Sequence, residues 1–154
     1  MAENALHGVN LTGWLTLEPW VTPELFSGSG ALDEPSLVTS LGAKGYREVV
    51  RRHRARFLTK DDFSRIASRG FNAVRLPVPW YVFGEAGPNP GPYLGCIDEV
   101  DQVLEWAEEI DQARAEASKK RAEELLAQKN LDKRDYELAQ ARLKRALVRT
   151  SIHP

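Results

Sequence analysis

The chain has 154 residues and a net charge of −1, enough length for one or two domains with a real core and no global pull toward nucleic acid or anionic membrane. A single cysteine, Cys96, rules out an intramolecular disulfide, and with His7, His53 and His153 scattered no metal-ligand spacing exists, so no structural metal is expected. No apolar run approaches the ~20 residues of a membrane helix, and the opening Met1-Ala2-Glu3-Asn4 lacks the basic and apolar regions of a signal peptide, so the expected location is the cytoplasm.

Residue types are unevenly distributed. All four tryptophans, all five phenylalanines, all eleven glycines and every proline but Pro154 lie at or before Trp106. From Ala107 onward the chain is dominated by Ala, Leu, Glu, Lys, Arg and Gln, the strong helix formers. Nine acids against eleven bases give that part a net +2, and thirteen against ten give the earlier part −3. Two domains are therefore expected, 1–106 and 107–154, meeting inside a helix and not at a linker.

In chain order, Leu6–Leu17 alternates and is broken by Gly8 and Gly13, predicting a buried strand and a loop. Pro23 opens a short helix at the position where its missing N–H costs nothing. Glu34–Leu41 is predicted helical and stopped by Gly42, and Lys44–Leu58 is a second helix. Thr59-Lys60-Asp61-Asp62 resembles a capping box with Asp62 in the place of the usual Glu, and Gly70 ends the helix it starts. Phe71–Val78 reads as a strand, Gly84–Gly95 as irregular, and Cys96 or Ile97 begins a long helix to about Gln128, near 50 Å at ~1.5 Å per residue. This order begins a right-handed β/α layout: an α/β fragment, mostly helical, an incomplete (β/α)8 barrel start of two or three strands followed by an α-helical hairpin. Arg75, near the end of an apolar strand, must reach solvent or find a partner. It is either a structural arginine tied to a neighbouring carboxylate or part of a site built at a strand's C-terminal end.

The hairpin's turn is expected at Lys129-Asn130-Leu131-Asp132, with Asp132 capping a helix to about Thr150. Tyr136, Ala139, Leu143, Ala146 and Leu147 form its apolar stripe, against Ile110, Ala113, Ala117 and Leu125 on the first helix. Arg142, Arg145 and Arg149 have no acid three or four positions away. Either they form a solvated basic face, or they meet acids of the other helix or a bound anion.

Two stretches are similar to known families. His7-Gly8-Val9-Asn10-Leu11-Thr12-Gly13-Trp14-Leu15-Thr16-Leu17-Glu18-Pro19-Trp20, then Ile66–Val78 with Phe71-Asn72-Ala73-Val74-Arg75-Leu76-Pro77, then Asp98–Ala107, resemble the opening of glycoside hydrolase family 5 exo-β-1,3-glucanases, TIM-barrel enzymes. The likeness covers 6–109. It implies that Glu18 and Arg75 contact sugar at the −1 subsite, that Trp20 lines the same cleft, and that β-glucan is a partner. Retaining glycosidases need two carboxylates about 5 Å apart. The resemblance places both on later strands, after an Asp-Leu-His strand, within an Asn-Glu-Pro motif and at a further Glu, and none of these occurs here. The implied function is a truncated glucan-hydrolase-like fragment without catalytic residues, and no cofactor. Asn10-Leu11-Thr12 is formally a glycosylation sequon, discounted as part of a buried strand without a secretory signal.

Glu108–Ala115, Ala122-Glu123-Glu124, Asp135–Ala139 and Leu143–Arg149 resemble the C-terminal hairpin of the ATP synthase epsilon subunit (107–150). That likeness implies ATP as a ligand, held by Glu105, Ile110, Asp111, Arg114, Arg121, Arg145 and Arg149. The β-sandwich that precedes the hairpin in that family is absent. Both families can supply Ala107-Glu108-Glu109, so the chain reads as a chimera joined in register through helix 97–128. A third expectation is a recombined scaffold with no native ligand, self-associating through uncovered barrel strands.

Overall fold

The computed structural model describes residues 5–87, 91–128 and 132–152. The expected turn at Lys129–Leu131, part of the irregular Gly84–Gly95 stretch, His153, Pro154 and the first four residues lie outside them. The described chain is mostly helical, with one two-stranded parallel sheet, and divides into two compact units, Met1–Val103 and Leu104–Pro154.

In the first unit, strand β1 (Gly8–Asn10) pairs in parallel with β2 (Ala73–Arg75), Gly8 opposite Ala73 and Asn10 opposite Arg75. The register is set at its start by Asn72. Its Oδ1 accepts from the His7 N–H at 2.8 Å, and its Nδ2 donates to the Ala5 carbonyl at 3.1 Å. Leu11 N donating to Arg75 O at 2.9 Å closes the other end. The strand expected over Phe71–Val78 is thus only three residues long, and β1 is not buried: Gly8 and Asn10 are exposed. A ladder between two short strands stops where Pro77 can no longer donate.

Four helices follow the predicted signals. Helix α1 (Pro23–Phe26) starts at Pro23. Helix α2 (Glu34–Phe57) is broken at Gly42, whose φ of 67° is open to glycine at little cost, so the two expected helices abut across a kink. Asp33 caps α2: its Oδ1 accepts from Ser36 N at 2.8 Å while Ser36 Oγ accepts from Asp33 N at 3.1 Å. The Ser36 hydroxyl, which also donates to Asp33 Oδ1, and then the Ser36 N–H hold the Asp33 carboxyl below its usual range. Helix α3 (Lys60–Ser68) opens on the expected box, Thr59 N donating to Asp62 Oδ2 at 2.9 Å. Helix α4 (Ile97–Leu126) crosses from the first unit into the second and ends two residues before the expected Gln128.

Leu17, Phe26, Ala31, Leu37, Val38, Tyr46 and Val50 form the core of the first unit, with Leu25, Tyr93 and Leu94 packed against it. Each large side chain buried here stabilises by roughly 1.5–3 kcal/mol. Arg54 is buried within this unit. Its guanidinium donates to the carbonyls of Gly95 (2.6 Å), Leu94 (3.2 Å) and Leu15 (3.4 Å) and lies 3.7 Å from Glu99, while Trp14 Nε1 donates to its own carbonyl at 3.0 Å. One arginine therefore ties α2 to the segment before α4 and to the loop after β1.

In the second unit, the remainder of α4 and helix α5 (Lys133–Ile152) form the helical hairpin. Asp132 caps α5 as expected, its Oδ1 accepting from Asp135 N at 2.8 Å. On α5 the expected stripe is centred on Ala139 and Ala146, whereas on α4 it is shifted. The buried residues are Ala115 and Ala122 on α4 and Ala139 and Ala146 on α5, each pair seven residues apart. Ala113 is exposed, Tyr136 and Leu147 are each 45% exposed, and Ile110, Ala117, Leu125 and Leu143 are half-buried. Only a methyl group projects at each buried position, so helix backbones can approach closely there, and the bulkier apolar side chains are left at the flanks. None of the helices among the described residues is long and apolar enough to cross a membrane.

Candidate functional site

Of the sequence-predicted sugar residues, Arg75 stands at the C-terminal end of a parallel strand, the end at which β/α folds build their sites, while Glu18 and Trp20 follow in the loop after β1. Arg75 ends β2, is exposed, and donates from Nη1 to Asn10 Oδ1 at 3.0 Å. Its partner is thus the amide directly across the ladder, not the neighbouring carboxylate that a purely structural arginine was expected to find. Glu18 is half-buried in the loop after β1. Its Oε1 accepts from the Thr12 hydroxyl in a short bond and lies 3.5 Å from Thr16 Oγ1. The Glu18 carbonyl also accepts from Val21 N and Thr22 N, each at 2.9 Å, so the residue is fixed by its backbone as well. Trp20, two residues on, is 78% exposed.

Asn10 and Thr12, quoted in the glucanase-like stretch but assigned no role there, are thus the residues that hold Arg75 and Glu18; Asn10 is exposed, so burial is no ground for discounting the sequon. Asn10 ends β1 and holds Arg75, and Thr12, in the turn that follows, holds Glu18. No ion pair joins Glu18 to Arg75 among the described residues.

A second arrangement had no sequence signal. Tyr46 and Tyr81 both donate to Glu34 Oε1, at 2.5 and 2.6 Å. Burial, then the facing Glu34 charge, pushes both phenols far above their ordinary value. Tyr81 stacks on Tyr93 with ring centroids 4.5 Å apart and planes 10° from parallel, and Tyr46 meets Tyr93 edge-on at 5.9 Å. Positions 34, 46, 81 and 93 share no period, so only the fold brings them together. Among the described residues no three His, Cys, Asp or Glu side chains gather as a metal-binding set.

In the second unit, Asp111, Arg114, Arg121, Arg145 and Arg149 are exposed, and Ile110 is half-buried. At 100° per residue, Ile110, Arg114 and Arg121 share one side of α4 within about 40°. Glu105, nine residues before Arg114, falls about 180° away and does not share that side. Arg145 Nε donates to the Ala141 carbonyl at 3.3 Å, along its own helix.

Comparison with known proteins gives two matches. The first is 38% identical over 107 residues to a probable glucan 1,3-beta-glucosidase A of Aspergillus fumigatus, covering 68% of this chain and 25% of that protein. The Aspergillus niger counterpart is 42% identical over 106 residues, and a glucan 1,3-beta-glucosidase of Blumeria graminis 38% over 106, each covering 66% of this chain and 25% of the relative. The chain spans about a quarter of the length of the curated relatives it matches. The family model for the ATP synthase Delta/Epsilon chain, long alpha-helix domain, matches residues 108–152. One chain thus carries two resemblances end to end, to a quarter of the fungal glucan 1,3-beta-glucosidases and to the long α-helix domain of ATP synthase delta/epsilon chains, consistent with a chimera joined through α4.

Proposed function

We propose that the chain binds β-1,3-glucan weakly at the strand ends of its first unit and does not hydrolyse it. The observation that carries this reading is the pair of bonds from β1's exit, Asn10 to Arg75 and Thr12 to Glu18, which hold a guanidinium and a carboxylate where a barrel presents its substrate groups. Exposed Trp20 beside Glu18 adds an apolar surface. Retention of a glycosidic bond's stereochemistry requires two carboxylates about 5 Å apart in distinct acid/base and nucleophile roles. Glu18 supplies one carboxylate, engaged by two threonine hydroxyls, and the described chain beyond Ile97 is helical, without the later strands from which the resemblance draws the catalytic pair. The test is release of reducing sugar from β-1,3-gluco-oligosaccharides at high protein concentration. None is expected; turnover that Glu18→Gln abolishes contradicts the reading.

A second reading, nucleotide binding by the hairpin, is favoured by the exposed arginines on α4 and α5 and by the family match over 108–152. Arginine forks suit phosphate oxygens. Mg-ATP binding that weakens with salt and with Arg145→Ala supports it; shifts indifferent to both count against it.

A further inference from the structure

Pro77-Val78-Pro79 leads from the C-terminal end of β2 to Trp80, which is 67% exposed although Pro79 and Tyr81 on either side are buried. An exposed indole is ordinarily free to change rotamer, but this one is held. It meets Tyr81 at 5.5 Å and 84°, and Tyr93 at 5.5 Å and 76°, both edge-to-face. Those two rings are stacked on each other, and Tyr81 is anchored through its hydroxyl to Glu34. The loop itself is clamped. Cys96 N donates to Val82 O at 2.7 Å, Arg47 Nε donates to Pro92 O at 3.0 Å, and Arg47 pairs with Glu85 at 2.6 Å.

We infer that Trp80 is an aromatic platform for a pyranose ring of a β-linked glucan, a sugar-binding position additional to Glu18, Trp20 and Arg75. The inference rests on the glucan reading above and extends it to the loop after β2. The chemistry selects the ligand. β-Glucopyranose presents axial C–H groups on both faces of its ring, which pack flat on an uncharged aromatic surface, while its equatorial hydroxyls need hydrogen-bond partners at the edge. Arg75, exposed at the end of the strand that leads into this loop, carries donors of that kind. A platform held in place before binding loses little side-chain entropy when the sugar arrives.

The experiment is titration of the full chain with a β-1,3-gluco-oligosaccharide, read by calorimetry and by the indole N–H resonances, that of Trp80 being assigned from Trp80→Phe. The Trp80 indole signal is expected to shift on titration. Trp80→Ala is expected to weaken binding about five- to tenfold, whereas Trp80→Phe keeps most of the affinity. An unshifted Trp80 indole, with full affinity in Trp80→Ala but reduced affinity in Glu18→Gln or Trp20→Ala, overturns the platform and leaves the glucan reading standing. No binding by the wild-type chain overturns both. A sedimentation run covers the remaining occupant: self-association relieved by Trp80→Ala, with sugar affinity unchanged, assigns the surface to a second copy and overturns the inference. The indole shift is read on the wild-type chain, so the test does not depend on the alanine variant folding.

Discussion

Removing the hydroxyl of Tyr46 or Tyr81 tests the tyrosine–carboxylate arrangement at the heart of the first unit. Both phenols are buried and both donate to the same Glu34 oxygen, at 2.5 and 2.6 Å. A hydrogen bond to a charged group contributes about 1.5–3 kcal/mol, so Tyr46→Phe and Tyr81→Phe are each expected to cost about that much. Because they share an acceptor, the double variant is expected to depart from additivity by at least 0.5 kcal/mol, the range seen for residues in one network. The pH dependence gives a second, independent reading. Burial and the Glu34 charge raise both phenols above the ordinary value of 10. The folded state thus keeps protons that the unfolded chain loses, and stability is fully present below pH 10 and falls as pH rises beyond it. For each tyrosine the loss between pH 10 and 11 is about 1 kcal/mol, from the protons released only by the unfolded chain. The assay is urea unfolding followed by tryptophan fluorescence, with Trp14, Trp20 and Trp80 in the same unit as the cluster. Single-variant costs under about 0.5 kcal/mol, or an alkaline slope unchanged in the double variant, refute the reasoning.

Three further outcomes are expected. His53 Nε2 donates to the Gly13 carbonyl at 2.7 Å, and burial holds its pKa below 6.5, so its contribution is present above pH 6.5 and lost as pH falls through the folded value; urea midpoints between pH 5 and 7.5 should fall more in the wild type than in His53→Gln. In Gly95→Ala the new Cβ would stand 2.8 Å from Gly84 N, and backbone cannot yield as a side chain does. A loss of about 1–3 kcal/mol is expected by the same denaturation, and an unchanged midpoint would show that the two loops are not packed so closely. Ala146→Leu keeps helix propensity but overfills a position only 3% exposed, so the hairpin's circular-dichroism melt should drop by about 1–3 kcal/mol of stability, whereas Ala113→Leu, at an exposed position, should not.

Local signals were legible where structure is local. Pro23, the Asp62 box, the Gly42 break and the Asp132 cap all act within one turn of chain, and each stands where the sequence placed it. Strand extent was not legible, because a strand ends where its ladder partner ends, and among the described residues β1 and β2 have only each other. The α5 stripe was legible at Ala139 and Ala146, but that of α4 was misplaced because alanine is common on several faces of that helix: periodicity offered several registers, and close packing settled on Ala115 and Ala122. At the site, Arg75 stood out as a charge near the end of an apolar strand and Glu18 and Trp20 were named from resemblance, whereas the roles of Asn10 and Thr12, which hold two of them, became visible only through their bonds. The carboxylate shared by Tyr46 and Tyr81 joins residues 47 positions apart at its widest, beyond the reach of any local pattern.

The most direct test of the account is an amide NMR titration of the full chain with a β-1,3-gluco-oligosaccharide, monitored over time for cleavage products. Shifts centred on Asn10, Thr12, Glu18, Trp20 and Arg75, with the sugar recovered intact, are the predicted result. Shifts confined to the 104–152 unit, no shifts at all, or cleavage of the oligosaccharide would contradict it.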